Sequence, residues 1–151
     1  SFPTRRSSDL WLRVLTGLLD EWQGQPLALM GDFNIAPLDT DVWDVGFFEG
    51  ATHVSKPERE AFAALLEAGL VDVVRDRAPG YTYWDYKAGR WNKDEGMRID
   101  FVLGSPELAE LVARASIDRD ERSGDAPSDH VPVVVDLDLD TELDDDRPMI
   151  F

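Results

Sequence analysis

The chain has 151 residues, no cysteine, and 31 Asp+Glu against 15 Lys+Arg, for a formal net charge of −16. The length suits one domain and the 43% of apolar residues supply a core, which excludes a disordered chain; the absent cysteines exclude disulfides, thiolate metal sites and cysteine nucleophiles. No apolar run approaches the roughly 20 residues that span a bilayer, and the acidity excludes a generic nucleic-acid coat while leaving room for a nuclease in which a cation mediates between carboxylates and phosphate.

The first ten residues, SFPTRRSSDL, have no clear periodicity and are read as a non-native, adapter-derived segment. From Leu10 to Trp22 apolar residues recur at helical spacing, and Gly24 and Pro26 stop that helix. Leu27–Met30 reads as a buried strand closed by Gly31. Residues 31–57 read as a long loop with a helical turn near Asp41–Val45. Glu58–Ala68 reads as a helix, with Pro57 before it, a stripe of Phe62, Leu65 and Leu66, and Gly69 at its end. A short strand or turn is expected at Leu70–Val74, and an alternating aromatic strand at Tyr81–Tyr86. A further strand is expected at Met97–Leu103. Ser105 is placed to cap a helix that starts at Pro106 and carries Leu108, Leu111 and Val112 on one face. Ala115–Asp118 and Val131–Leu139 read as the last strands, and Asp140–Asp146 as a disordered acidic tail. No internal repeat is visible. The mixture of helices and strands without a βαβ rhythm predicts an α+β fold, or a sandwich with peripheral helices.

Three stretches carry candidate chemistry. Gly31-Asp32-Phe33-Asn34 follows the first strand. If the backbone stays extended, Asp32 and Asn34 point to the same side. Asp32 is suited to orienting a water, and Asn34 to donating its amide to a developing oxyanion. The plain alternative is an Asx turn leaving the strand. Ser128-Asp129-His130 precedes the last strand. Asp129 can bind a hard cation, and His130 can stabilise a phosphoryl oxygen; the alternative is a turn with a surface histidine. In Met97-Arg98-Ile99-Asp100, alternation puts Arg98 and Asp100 on one face. A buried Asp100 needs a partner, and His130 is the candidate; a structural Arg98–Asp100 pair is the alternative. His53 reads as structural.

Taken together these motifs resemble the exonuclease III family of AP endonucleases, within the wider endonuclease/exonuclease/phosphatase superfamily. Gly31–Asn34 and Ser128–His130 are shared across that superfamily. Tyr81-Thr82-Tyr83-Trp84-Asp85-Tyr86 followed by Gly96–Asp100 is more specific to the exonuclease III branch, and residues 41–44 and 52–59 are similar to linker segments of actinobacterial members. The resemblance covers about residues 11–139.

The resemblance implies the second half of a four-layer αββα sandwich of mostly antiparallel sheets, with a site at one edge. It implies Mg²⁺- or Mn²⁺-dependent hydrolysis of DNA phosphodiesters, 5′ to abasic sites and from 3′ ends. By matching motif, Asp32 activates the attacking water, and Asn34 supports that water or the phosphate. Asp100 pairs with His130, which stabilises the transition state. Asp129 helps hold the metal, with Asp32 and Asn34 alongside. Tyr83, Trp84, Met97 and Ile99 match positions that line the pocket for a flipped-out abasic sugar. The loop at residues 81–98 holds Lys87, Arg90, Lys93 and Arg98 against three acids, with Trp84, Tyr86 and Trp91 interleaved. In the family it approaches DNA, which makes Arg90, Trp91, Lys93 and Arg98 candidate contacts.

The family's principal metal-binding Glu, its partner Asn and a catalytic Tyr belong to a first half that has no counterpart motif here. The expectation is therefore an N-terminally truncated chain, inactive or nearly so alone, from a monomeric cytoplasmic parent that engages no membrane. An uncovered sheet face would invite self-association. Two other readings stay open: a phosphodiesterase or phosphatase acting on a small phosphate ester, and a non-catalytic half-domain.

Overall fold

A computed structural model of the chain describes residues 14–17 and 19–139. The opening ten residues, the start of the expected first helix, Leu18 and the acidic tail from Asp140 lie outside the described residues. Residues 14–17 and 19 are helical and run into a 3₁₀ turn at Asp20–Trp22. Five strands follow: β1 (Ala28–Asp32), β2 (Val71–Asp72), β3 (Asp100–Gly104), β4 (Val112–Ile117) and β5 (Val133–Leu137). Two α-helices are interspersed, α1 (Lys56–Glu67) between β1 and β2 and α2 (Pro106–Leu111) between β3 and β4.

The strands form two antiparallel sheets, ordered β1-β3-β2 and β4-β5. Isolated bridges extend the pattern: Met97 pairs with Val42 on one side and Tyr83 on the other, and Tyr83 pairs with His130. The segment 96–104 is thus a spine that gathers four distant stretches. This is the expected α+β arrangement of antiparallel sheets with few helices.

Local chemistry explains the helices. Ser55 and Glu58 form a reciprocal capping box at the start of α1, with Pro57 in the first turn. The helix therefore begins two residues before the expected Glu58. Its buried side chains are Phe62 and Leu65, while Leu66 is exposed and leaves the expected stripe. Ser105 caps α2 through the Leu108 amide. Val112 starts β4 rather than extending the helix face.

Phe62 and Leu65 pack on Phe101 and Leu103, and Phe33 contacts Phe62 and Phe101 edge-on. A second cluster joins Ala36, Val42, Met97 and Ile99, with Tyr83 against it. A third fills the space between Val73, Val74, Val102 and Val112.

Three expectations need correction. The first strand includes Gly31 and Asp32 and is not buried: Met30 is 64% exposed, because β1 is the outer strand of its sheet. Tyr81–Tyr86 forms only the bridge at Tyr83, since Thr82 and Tyr83 both donate to Met97 O and the regular ladder does not propagate. The helical turn of the long loop falls at Asp39–Asp41, where Leu38 N donates to the Asp41 carboxylate.

Candidate functional site

The site is built where β1 and β3 end side by side. Asp32 is directly opposite Asp100 in the register, so both side chains leave one face of the sheet. Beyond Asp32 the chain turns. Asn34 takes a left-handed backbone, φ 52°, which asparagine tolerates. Its amide N and its Nδ2 each donate to the Asp32 carboxylate at 2.8 Å. The side chains converge through an Asx-type turn, not through the extended backbone that alternation assumed. His53 Nδ1 lies 2.7 Å from Asn34 O, and Ala36 N donates to His53 O. His53 is thus a clamp on this turn, as a structural histidine should be.

His130 Nδ1 meets the Asp100 carboxylate at 2.9 and 3.1 Å. An ionised carboxylate only accepts, so Nδ1 carries a hydrogen and Nε2 is turned outward. Nε2 lies 4.0 Å from Asp32 Oδ2. The Tyr83 ring meets the imidazole edge-on at 4.9 Å between centroids. Asp129 is half-buried, and its backbone oxygen accepts from Trp84 N. An open cleft of about 690 Å³ flanks His130 and is lined by Glu121, Asp125, Ser128 and Pro132.

Sequence reasoning missed Thr82. It is fully buried, donates to Asp100 Oδ2 at 2.6 Å and accepts the amides of Ile99 and Asp100. The signal was available: the one aliphatic hydroxyl in a stretch of aromatics, where an inward-facing polar side chain needs a partner. Burial pushes the Asp100 carboxyl up, and the hydrogen bonds from Thr82 and His130 pull it part of the way back. Burial also raises the Tyr83 phenol, reinforced by the carboxylates of Asp85, Asp129 and Asp32.

The other candidate residues divide. Trp84, Met97, Arg98 and Ile99 are buried. Trp84 Nε1 donates to Asp94, and the Trp84 and Trp91 rings meet edge-on at 4.8 Å between centroids. Trp84 supports the site through the backbone contact that holds Asp129. Arg98 does not share a face with Asp100. Its guanidinium lies 3.2 Å from both Asp72 oxygens and donates to Ala78 O. The alternation fails because Thr82 Oγ1 takes two consecutive amides, of Ile99 and Asp100, in place of a strand partner. Arg90 pairs with Glu95 and stacks on Trp43 and Phe47, Trp91 is half-buried, and Lys93 is exposed.

Asp32, Asn34 and Asp129 offer oxygen donors of the kind a hard cation takes. Among the described residues, no group of three or more His, Asp or Glu is placed to hold a metal ion. The donors fit such an ion in kind.

Comparison with known proteins places this arrangement. The chain is 36% identical over 124 residues to an exodeoxyribonuclease of Bacillus subtilis, covering 80% of this chain and 48% of that protein. Among solved structures it is similar to the 3′ phosphatase NExo from Neisseria, determined bound to a product DNA hairpin, with a TM-score of 0.80 and 36% identity over 87% of this chain and 53% of that one. An AP endonuclease from Archaeoglobus fulgidus matches with a TM-score of 0.77 and 31% identity, over 87% of this chain and 53% of that one. The chain thus spans about half the length of these relatives, and the likeness bears out the α+β sandwich-half expectation. The model of the Endonuclease/Exonuclease/phosphatase family matches residues 1–130. The chain, in which His130 is hydrogen-bonded to Asp100 beside the paired Asp32, belongs to the endonuclease/exonuclease/phosphatase family.

Proposed function

We propose that this chain supplies one half of the catalytic centre of a DNA-repair nuclease, which hydrolyses phosphodiesters at abasic sites and at 3′ ends of double-stranded DNA. The observation that carries the reading is the Thr82–Asp100–His130 hydrogen-bonded chain, which runs from the buried Thr82 hydroxyl outward and leaves Nε2 near Asp32. There His130 stabilises charge on a phosphoryl oxygen, while Asp32, held by Asn34, orients the attacking water. Tyr83 forms a wall of the pocket beside His130. Arg90, Trp91 and Lys93 lie on the loop that approaches DNA, whereas Trp84, Met97, Arg98 and Ile99 support that wall from within.

The cofactor in this reading is Mg²⁺ or Mn²⁺, held by Asp129, Asp32 and Asn34 together with ligands from outside residues 11–139. In this reading part of the ligand set comes from outside these residues, and the chain alone is inactive or nearly so. Residues 1–10 stand as a foreign segment and 140–151 as a tail. The parent acts as a cytoplasmic monomer. No helix among the described residues is long and apolar enough to cross a membrane. The face that exposes Met30 and Val71 is the route by which the isolated chain self-associates.

The test mixes this chain with a separately produced first half of an exonuclease III-type protein and assays Mg²⁺-dependent cleavage of abasic duplex. Cleavage that needs both halves and is lost with His130→Ala supports the reading. A folded complex that does not cleave, or that cleaves equally with His130→Ala, overturns it.

A further inference from the structure

The turn that carries Asn34 is fastened to the fold by a residue outside the Asp32–Asp100–His130 group. Phe33 N donates to Ile99 O, and past that point the chain leaves the sheet. Asn34 N and Nδ2 both go to the neighbouring Asp32 carboxylate at 2.8 Å. Across the fold, Asn34 meets His53, whose Nδ1 lies 2.7 Å from Asn34 O. A carbonyl oxygen only accepts, so Nδ1 carries the hydrogen and donates it. The His53 backbone adds a second hold two residues on, where Ala36 N donates to His53 O at 2.8 Å.

Both residues of this contact lie in the left-handed region, Asn34 at φ 52° and His53 at φ 76°. Asparagine tolerates that conformation, and histidine enters it far less readily than glycine. Such a backbone persists where its surroundings fix it. Here the next residues do so: Val54 packs against the cluster of Ala36, Val42, Met97 and Ile99, and Ser55 forms the capping box of α1. His53 is thus mounted on a firm support. The turn it holds is not firm by itself. Asp32 and Asn34 are exposed, and exposed hydrogen bonds within a short turn open readily. An open turn would let the Asp32 carboxylate swing away from His130, whose Nε2 is 4.0 Å from Asp32 Oδ2.

We infer that His53 is a positioning residue, which holds the Asp32 carboxylate toward His130 by fixing the carbonyl of Asn34. This rests on the proposed nuclease reading, in which Asp32 orients the attacking water. It adds a residue that acts through Asn34 and touches no substrate, so its loss falls on turnover and leaves DNA binding in place. Thr82 sets His130 from the core, and His53 sets Asp32 from the opposite flank.

Two variants separate this role from general support of the fold. His53→Gly removes the donor but accepts the left-handed backbone without strain, so the fold is kept. His53→Asn also accepts that backbone and again places an N–H at the δ position of the side chain. In the whole 151-residue chain, amide hydrogen exchange by NMR is expected to show Asn34 N exchanging roughly ten-fold faster in His53→Gly and within about two-fold of the parent in His53→Asn. In the complex with a separately produced first half, His53→Gly is expected to lower kcat on abasic duplex roughly ten-fold with KM within about two-fold, and His53→Asn to recover most of the loss. Unchanged exchange at Asn34 in His53→Gly, or a rise in KM at constant kcat, overturns the positioning role and leaves the nuclease reading standing. A parent complex that does not cleave overturns the nuclease reading, and the positioning role falls with it.

Discussion

Thr82 Oγ1 lies 2.6 Å from Asp100 Oδ2, the same oxygen that His130 Nδ1 meets at 2.9 Å. One carboxylate therefore reads two donors, one from a fully buried hydroxyl and one from the imidazole at the site. The hydroxyl also accepts the amides of Ile99 and Asp100, which ties the direction of the carboxylate to the backbone of the spine. The orientation of His130 is set two residues deep, from the core outward.

Replacing that hydroxyl should be felt twice. Thr82→Val leaves the Ile99 and Asp100 amides without their hydroxyl acceptor and the Asp100 carboxylate with one donor fewer, so a loss of roughly 1–3 kcal/mol is expected in denaturant unfolding. The Asp100 carboxyl should also titrate higher, because the Thr82 hydrogen bond holds it down. Thr82→Ser keeps both effects near the parent. Carboxyl-carbon NMR across the acid range reads the shift, and an unmoved Asp100 in Thr82→Val would count against this account.

The pH dependence of stability follows from the same group. Burial is the main cause that raises the folded-state Asp100 carboxyl above its ordinary value. The folded state therefore holds this proton more tightly than the unfolded state. The contribution to stability is fully present below the unfolded value of about 3.9 and is lost as pH rises through the folded value. Asp100→Asn has no such proton to lose. Measured by urea unfolding at stepped pH, its stability relative to the parent should improve across that window. A difference that stays constant, or that moves the other way, would contradict the raised carboxyl.

Much of this was legible from residue order, for reasons that can be traced. The α1 and α2 caps are local chemistry, so Ser105-Pro106 announced the start of α2 and Gly69 the end of α1. The Asp100–His130 pairing was legible because a carboxylate inside an apolar strand demands a partner. Arg98 defeated alternation because its partner, Asp72, is brought in by β2, a contact that no spacing along the chain encodes. Tyr81–Tyr86 looked like a strand because its aromatics alternate. Yet its hydrogen bonds are divided between Met97 on one side and Asp129 and Val131 on the other, leaving a bridge instead of a ladder. Thr82 was passed over because a threonine between aromatics is ordinary strand composition.

The Arg98–Asp72 pair supports the fold rather than contacting a substrate. Both side chains are nearly inaccessible, at 3% and 9%, and Asp72 is shared with Arg75, which also binds Asp41. Arg98→Met should cost up to about 3 kcal/mol, since it removes one of the two cations that pair the nearly inaccessible Asp72 carboxylate and leaves it to Arg75. Adding Asp72→Asn should recover part of that loss, so a double-mutant cycle by urea unfolding should show strong coupling. Additive losses would mean that the two side chains do not depend on each other.

Gly96 joins packing to the site by a different route. A Cβ placed there would lie 2.6 Å from Trp84 Nε1 and 2.7 Å from Tyr81 Cδ2. Trp84 is fully buried, and its amide holds the Asp129 oxygen next to His130. Gly96→Ala should therefore destabilise by about 1–3 kcal/mol through overpacking. It should also shift the His130 ring resonances in NMR, because the strain passes through Trp84 to the Asp129 segment. Gly17 provides the comparison: it is exposed in a helical stretch with nothing within 4 Å of an added Cβ, so Gly17→Ala should be neutral or mildly stabilising. If Gly96→Ala unfolds at the parent's midpoint and leaves His130 unmoved, then Trp84 is not the rigid support that its burial and hydrogen bonds make it.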